Sequence, residues 1–330
     1  MIKKLVKAAG ITAGAVAGTG LALIAAGYFA DKYMPKNLKN VFENKGKLFA
    51  DGKAQIGAHR AGAGIAPENT PLAFDICLDN DEFKVQELEF DLHMTKDEKL
   101  IILHDPSLDR TTDAIEKYNR ANILPGDLTY EEISKLNPGE GFTAEDGTMP
   151  YKGLRGNDIP EGLRIPLLEE IIDKIESKGE YLYSIDIKDK GETGKKAADK
   201  LIALCKEKGI SDRVIIASFN TDITNYLTKN YPDIQRSVGV LEGVFFYFAY
   251  ALNLKIDKNK LHFKAVQLPA NQYKIIRLGT ERFINYCHNL GIAVQYWTID
   301  DIDEIKRLSD IGADNIITNV PDKMFSLLYK

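Results

Sequence analysis

The chain has 330 residues, a length that fits one large domain or two ordinary ones. Hydrophobic residues make up 44% of it and charged residues 28%, with a net charge of −5, so the composition is globular and indicates no basic face for nucleic acid. Its three cysteines, Cys77, Cys205 and Cys287, are too far apart to form a disulfide framework or a zinc site, and we predict buried thiols.

The N-terminus predicts a membrane anchor. Three lysines within residues 3–7 precede a charge-free run at 8–30, which exceeds the roughly 20 residues that a helix needs to cross a bilayer. A signal peptide is the alternative, but the run ends without a small-residue cleavage site. We therefore expect 1–30 to be a single transmembrane helix in the cell membrane. Residues 31–53 then form a juxtamembrane linker, and 54–330 the main domain on the extracytoplasmic side.

Strand-like and helical segments alternate after the linker. Strands are predicted at 55–60, 86–92, 100–104, 181–187, 214–219, 236–241, 265–268, 293–298 and 315–318. Helices are predicted at 70–80, 166–178, 194–208, 220–230, 280–290 and 301–311. The turn between 86–92 and 100–104 is too short for a parallel crossover, so these two strands form a hairpin. The other strands alternate with helices, which predicts a (β/α)₈ TIM barrel with one extra hairpin strand; a doubly wound open sheet is the alternative.

Two further segments stand out. An insertion at about 105–165 contains a Gly-, Pro- and Asp-rich stretch (137–166) that predicts a long loop, either a substrate lid or rim or a solvated excursion. The uncharged, aromatic-rich stretch "VFFYFAYALNL" (244–254) predicts either a buried helix or a segment that meets the membrane.

Acidic side chains converge in the predicted hairpin. Glu89 and Asp91 point to the same face of their strand. If the turn is symmetric about residues 97 and 98, His104 lies directly opposite Asp91. Asp186 and Lys188 share a face of the strand in "YLYSIDIK". Three carboxylates suit a hard divalent cation, Mg²⁺ or Ca²⁺.

The remaining polar residues favour phosphodiester chemistry. His59 and His104 are suited to proton transfer near neutral pH. Arg60 and Lys188 supply fixed positive charge for a phosphate group. The sequence contains no phosphate-binding P-loop, dinucleotide fingerprint or serine-hydrolase elbow. This inventory predicts metal-assisted cleavage of a phosphodiester.

The stretches "AHRAGAGIAPENT", "ELEFDLHMTKDEKLIILHDPSLDRTT", "SIDIK", "WTID" and "GADNIITNVP" resemble the successive motifs of the glycerophosphodiester phosphodiesterase family, over about residues 55–322. The resemblance implies hydrolysis of glycerophosphodiesters to sn-glycerol 3-phosphate and an alcohol within a barrel. It implies that one divalent ion is held by Glu89, Asp91 and Asp186. It implies His59 and His104 as the acid–base pair and Arg60 and Lys188 as the phosphate-binding residues. Glu68, Trp297 and Phe219 are assigned to substrate binding.

This sequence departs from the family pattern at two places. Ala61 stands where glycine usually follows His-Arg, and Asp186 stands where the third metal ligand is usually glutamate. Two other functions remain as alternatives to glycerophosphodiester hydrolysis. One is lysophospholipase D-type cleavage of lysophospholipids to lysophosphatidic acid and a head-group alcohol, and the other is an inactive, membrane-tethered binding protein.

Overall fold

The computed structural model describes residues 38–43, 46–272 and 276–330. The predicted anchor at 1–30 and the first part of the predicted linker, 31–37, lie outside these described residues. Within them, none of the helices combines the length and the apolar character needed to cross a bilayer. The anchor and the domain boundary at residue 54 therefore stay predictions.

Short strands and longer helices alternate along the described chain. The strands are β1 (Gln55–His59), β2 (Glu87–Met94), β3 (Leu100–Ile102), β4 (Leu182–Ile187), β5 (Val214–Ala217), β6 (Ala265–Leu268), β7 (Asn271–Gln272), β8 (Ile276–Arg277), β9 (Ala293–Tyr296) and β10 (Asn315–Thr318). The helices are α1 (Pro71–Leu78), α2 (Ala114–Tyr118), α3 (Tyr130–Ile133), α4 (Leu168–Glu176), α5 (Gly191–Glu207), α6 (Thr221–Asn230), α7 (Val240–Ala251), α8 (Glu281–Asn289), α9 (Ile302–Asp310) and α10 (Pro321–Tyr329). The predicted α/β class is confirmed, and so is the burial of the three cysteines.

The predicted strand at 236–241 is wrong. Only isolated bridges form there, at Arg236 and Ser237, and α7 follows directly. The backbone N–H of Gly239 donates to Glu242 Oε2 at 2.9 Å. This contact caps the start of a helix, so the extended segment ends earlier than its alternating apolar pattern indicates.

Residues 56–211 and 318–330 form one compact unit, called here the 56–211 unit. In it β2 lies between β1 and β4, and the three strands are parallel. β3 pairs antiparallel with β2, so the predicted hairpin is present. The rings of Phe74, Phe90 and Tyr183, from α1, β2 and β4, pack edge to face with centroids 5.6 and 6.5 Å apart. These aromatic contacts join the sheet to its covering helix.

The hairpin register differs by one residue from the prediction. The predicted register places Leu92 opposite Leu103, whereas in the structure the Cα partner of Leu92 is Ile102. β3 ends at that residue, and His104 therefore lies beyond the strand instead of directly opposite Asp91.

The turn explains the shift. The backbone N–H of Thr95 donates to the carbonyl oxygen of Lys99 at 2.9 Å, which leaves an odd number of residues in the turn. Glu98, inside it, adopts a left-handed φ of 58°. A three-residue turn ending in a left-handed residue is a common hairpin connection, and it centres the hairpin on residue 97.

The described residues up to Gln55, with 212–317, form a second compact unit, called here the 212–317 unit. Its strands β6, β9 and β10 are parallel, with β9 in the middle. The rings of Phe246 and Tyr250 on α7 contact Phe283 and Tyr286 on α8, with centroids between 5.0 and 6.4 Å apart. One side of the aromatic stretch at 244–254 is therefore buried.

The insertion at about 105–165 has an apolar core of its own. Its buried side chains pack with two from the hairpin segment: Ile101, Leu103, Leu108, Ala114, Ile123, Leu128, Ile133, Leu136 and Ile165. The Arg155 guanidinium lies 3.3 Å from Asp113, 2.5 Å from Glu116 and 2.8 Å from Glu140. The 137–166 stretch is thus a loop, as predicted. It packs against the apolar core of the insertion, and ion pairs of Arg155 hold it in place. A role as a substrate lid stays a prediction.

Candidate active site

Strand register brings ionisable side chains together in the 56–211 unit. His59 is the last residue of β1, and its Cα partner on β2 is Glu89. Two residues further along β2, Asp91 pairs with Asp186 on β4, and Lys188 follows the end of that strand. Functional groups in open and closed α/β sheets gather where parallel strands end. This edge is therefore the candidate active site.

Lys188 bridges the two aspartates. Its Nζ lies 2.7 Å from Asp91 Oδ1 and 2.6 Å from Asp186 Oδ2. Burial alone would lower the pKa of Lys188, but the charges of Asp186 and Asp91 outweigh it and raise that pKa. Burial would likewise raise the pKa of Asp91, whereas Lys188 and the other nearby cations hold it far below its ordinary value. The lysine and this aspartate are therefore a fully ionised pair.

The chain leaves β1 through a left-handed turn at Arg60 and Ala61. Arg60 and Ala61 have φ values of 49° and 59°. The turn directs the backbone N–H of Arg60 to Glu89 Oε2 at 2.9 Å, and the guanidinium lies 3.0 Å from Glu68 Oε1 and 3.9 Å from Asp91 Oδ2. The glycine expected at position 61 adopts this φ without a Cβ clash, so alanine adds strain of about 1 kcal/mol there.

The carboxylates at this edge carry surplus negative charge. Burial and the neighbouring Asp91 raise the pKa of Glu89 well above its ordinary value, more than nearby cations lower it. Asp186 Oδ1 is buried and accepts no hydrogen bond from the described residues. Both observations fit the donor chemistry of a hard divalent cation. In the described ranges, however, no group of three or more His, Cys, Asp or Glu side chains is arranged as a metal site, and the ammonium of Lys188 lies between two of the predicted ligands.

His59 is oriented by a residue that the sequence did not reveal. Its Nδ1 lies 2.6 Å from Asn319 Oδ1, and its Nε2 lies 4.0 Å from Glu89 Oε2. Because an amide oxygen only accepts, Nδ1 carries the hydrogen and the neutral ring keeps a lone pair on Nε2. Burial and the adjacent Arg60 lower the pKa of His59 to about 4. Asn319 follows β10 within "GADNIITNVP", and only its position in that stretch could have signalled a role.

His104 belongs to a network of ion pairs. Its Nδ1 lies 2.7 Å from Asp105 Oδ1. Arg110 donates from Nε to Asp105 Oδ2 at 2.6 Å and from its two terminal nitrogens to the oxygens of Glu68 at 2.9 and 2.7 Å. Since Glu68 also accepts from Arg60, ion pairs connect His104 to Arg60, the arginine predicted to bind phosphate. Asp105 and Arg110 were not predicted, although both lie in the "HDPSLDRTT" stretch that carries the resemblance.

The two aromatic residues predicted to bind substrate lie in the 212–317 unit. The rings of Phe219 and Trp297 meet edge to face, with centroids 5.9 Å apart. Phe219 is 41% exposed. The two rings therefore form one partly exposed aromatic pair, and their role in substrate binding stays a prediction.

Known proteins resemble this chain over most of its length. Residues 59–323 match the glycerophosphoryl diester phosphodiesterase family. A glycerophosphodiester phosphodiesterase of Caldanaerobacter subterraneus subsp. tengcongensis is 29% identical over 278 residues, which are 84% of this chain and 99% of the relative. The human lysophospholipase D GDPD1 is 25% identical over 303 residues, 82% of this chain and 85% of that protein.

Solved structures share the fold. A phosphodiesterase of Oleispira antarctica in complex with the product sn-glycerol-3-phosphate has a TM-score of 0.62 at 18% identity, over 84% of this chain and 98% of that one. A glycerophosphodiester phosphodiesterase of Agrobacterium tumefaciens has a TM-score of 0.58 at 20% identity, over 83% of this chain and 99% of that one. At these identities the likeness concerns the fold, whereas the family match spans most of the sequence. The chain belongs to the glycerophosphoryl diester phosphodiesterase family.

Proposed function

We propose that this chain hydrolyses glycerophosphodiesters to sn-glycerol 3-phosphate and an alcohol. The observation that carries the proposal is the pair of histidines, His59 and His104, each held through Nδ1 within one unit that also contains buried carboxylates and cations. The names of the bacterial relatives support the substrate class. The complex of a solved relative with sn-glycerol-3-phosphate supports the product.

The two histidines have different partners, and this difference suits different first roles. His59 donates from Nδ1 to a neutral amide, so its Nε2 can accept the proton of the glycerol hydroxyl as that oxygen bonds to phosphorus. His104 donates from Nδ1 to the Asp105 carboxylate, which orients the ring so that its Nε2 can serve as the proton donor to the leaving alcohol. Attack by the glycerol hydroxyl and departure of the alcohol leave a cyclic phosphate. Water then opens this ring, with the two proton transfers reversed.

The cations of the site bind the phosphate. Arg60 and Lys188 are fixed by Glu68, Asp91 and Asp186, so their donors need little rearrangement when charge develops on the phosphoryl oxygens. Arg60 offers the planar donor geometry that suits a phosphate. These residues therefore lower the barrier by electrostatic stabilisation and by orientation of the diester.

The carboxylates Glu89, Asp91 and Asp186 are proposed to hold one divalent cation, Mg²⁺ or Ca²⁺. When bound, such an ion supplies Lewis-acid stabilisation of phosphoryl oxygens. The test is thermal unfolding with each metal and with EDTA. Saturating metal should raise the melting temperature of the full chain by a few degrees, since ligand at about 100 times Kd contributes about 2.7 kcal/mol, and Asp186→Asn should abolish the rise.

The activity is tested by release of sn-glycerol 3-phosphate from glycerophosphocholine by the full chain. Turnover is expected to be lost in His59→Ala and in His104→Ala, each checked for an unchanged melting temperature. Turnover that persists in both folded variants would contradict the proposed acid–base pair. Absence of turnover in the wild-type chain with Mg²⁺, Ca²⁺ and a panel of glycerophosphodiesters would contradict the proposed activity.

A second candidate function is lysophospholipase D activity, because mammalian relatives carry that name over 82% of this chain. Lysophosphatidylcholine is the discriminating substrate, since this activity releases choline and lysophosphatidic acid. Turnover of lysophosphatidylcholine in preference to glycerophosphocholine would favour it. The family match over 59–323 and the two oriented histidines argue against the third possibility, an inactive binding protein.

The charge-free segment at 8–30 is proposed to anchor the enzyme in the cell membrane with residues 54–330 outside. Protease treatment of intact cells tests this orientation. Digestion of the folded domain from outside is expected, and protection that is lost only after lysis would contradict it.

A further inference from the structure

Helix α7 has an apolar face that points away from the protein. Its apolar side chains recur at positions i, i+3, i+4, i+7 and i+11: Leu241, Val244, Phe245, Phe248 and Leu252, the last directly after the helix. Phe245 is 72% exposed and Leu252 44% exposed, and the other three are half-buried. This spacing forms one stripe along a helix. We call it the α7 outer face.

The opposite side of α7 is fully engaged. Phe246 and Tyr250 pack against aromatic rings of α8. The helix has a single charged residue, Glu242, and its carboxylate accepts two hydrogen bonds from the guanidinium of Arg236 at 2.7 Å. The helix is therefore fixed in place by its inner side. A helix packed on a domain normally presents polar residues to water, so the α7 outer face is unusual.

A basic loop follows this face directly. The segment 254–264 carries four exposed lysines, Lys255, Lys258, Lys260 and Lys264, against one acidic residue, Asp257. Leu254, at its start, is 54% exposed. Among the described residues none of the four lysines forms an ion pair. This positive segment stands out on a chain whose net charge is −5.

A cavity lies between the helix and the loop. Its volume is about 340 Å³, and its walls include Phe245, Phe246, Ile256 and Phe263. Lys260, His262 and Glu242 also line it, and the carboxylate of Glu242 is paired with Arg236. The combination provides apolar walls for hydrocarbon and a cationic edge for an anionic head group.

We propose that the α7 outer face and the 254–264 loop form a docking surface for an anionic phospholipid bilayer. Phenylalanine and leucine side chains insert at the boundary between head groups and acyl chains, and lysines beside them are attracted to the negative lipid surface. A second copy of this chain is the competing occupant of the apolar face, and the experiment below distinguishes it from lipid. The docking surface is independent of the phosphodiesterase activity proposed above.

Site-specific fluorescence tests the proposal in the full chain reconstituted in vesicles. All three native cysteines are buried, so an introduced cysteine can be labelled selectively with an environment-sensitive dye. Phe245→Cys places the dye on the docking surface. Ile115→Cys, at a position 46% exposed in the 56–211 unit, is the matched control. Vesicles contain phosphatidylcholine alone or with phosphatidylglycerol, each with a spin-labelled lipid as quencher.

The dye at 245 is expected to be quenched by lipid in phosphatidylglycerol vesicles, and the dye at 115 is not. Each lysine near an anionic lipid surface shifts the binding equilibrium about fivefold toward the docked state. The variant Lys255→Glu/Lys258→Glu/Lys260→Glu should therefore reduce the docked-to-undocked ratio at least about tenfold, with an unchanged melting temperature. Quenching that is equal in both vesicles, or insensitive to this variant, would overturn the proposal. A fluorescence change of the dye at 245 that depends on protein density instead of lipid composition would also overturn the proposal, because it would assign the face to a second copy of the chain.

Discussion

Replacing Arg110 with methionine tests whether the ion-pair network orients the proposed catalytic groups. The Arg110 guanidinium makes four hydrogen bonds, two to Glu68 and two to Asp105, at 2.6 to 3.1 Å. Methionine retains part of the apolar stem but none of these donors. The variant therefore removes the connection between Arg60 at one end of the network and His104 at the other.

The expected loss of stability is small and the loss of activity is larger. Hydrogen bonds to charged groups contribute about 1.5–3 kcal/mol each, but the Arg110 side chain is 49% exposed, and solvent screens such pairs. We expect the free energy of unfolding to fall by about 1–2 kcal/mol. A catalytic group displaced by about 1 Å can lose on the order of 100-fold in rate, so kcat should fall about 10- to 100-fold, with a smaller change in KM.

Steady-state release of sn-glycerol 3-phosphate measures both constants, beside urea unfolding of the same preparations. Arg110→Lys is the matched control, because lysine keeps the charge but cannot donate in pairs to both carboxylates. Its kcat should lie between those of the wild type and Arg110→Met. A methionine variant with wild-type kcat, or one whose defect is confined to stability, would refute the orienting role.

Three other changes test separate parts of the structure. Asn319→Ala should lower kcat about 10- to 100-fold because the His59 ring loses its acceptor, whereas Asn319→Asp, which still accepts, should retain more activity; equal activity of the two would contradict this. Ile133→Ala, at a fully buried position in the insertion, should lower the free energy of unfolding by about 2–4 kcal/mol in urea titrations, and a loss below about 1 kcal/mol would mean that the insertion is not packed. Burial alone would raise the pKa of Glu242, but Arg236 outweighs it and holds that pKa below 4.5. The carboxylate thus stabilises the protein above pH 4.5 and loses this effect as the pH falls, so melting temperatures of wild type and Glu242→Gln should differ at pH 7 and converge in acid; a difference that grows in acid would be the wrong sign.

Elements with a clear period were predictable from the sequence. The six predicted helices correspond to α1, α4, α5, α6, α8 and α9, with ends shifted by at most three residues. The structure of the 236–241 segment was not predictable in this way. Its alternating pattern indicates a strand, but the contact between Gly239 and Glu242 caps a helix there. The hairpin register was missed for a similar local reason, since the left-handed φ of Glu98 makes the turn odd in length.

Candidate residues were predictable from motifs, but their contacts were not. The sequence named His59, Glu89 and Asp91, and strand register then brought them together. The contact from His59 to Asn319 joins residues 260 positions apart, and no local pattern reports such a distance. The partners of Glu68 were not predicted either: its assigned role was substrate binding, and its observed partners are two arginines.

The charges of the site explain why its parts depend on one another. Five carboxylates lie in the connected network, Glu68, Glu89, Asp91, Asp105 and Asp186, against three permanent cations, Arg60, Arg110 and Lys188. With Glu89 ionised, the network is short of neutrality by two positive charges, and the raised pKa of Glu89 reflects this shortage. A phosphodiester brings one more negative charge. One divalent cation would restore the balance before substrate binds. Loss of Arg110 or Lys188 would deepen the deficit, so substitutions at either position should weaken substrate binding more at low than at high ionic strength.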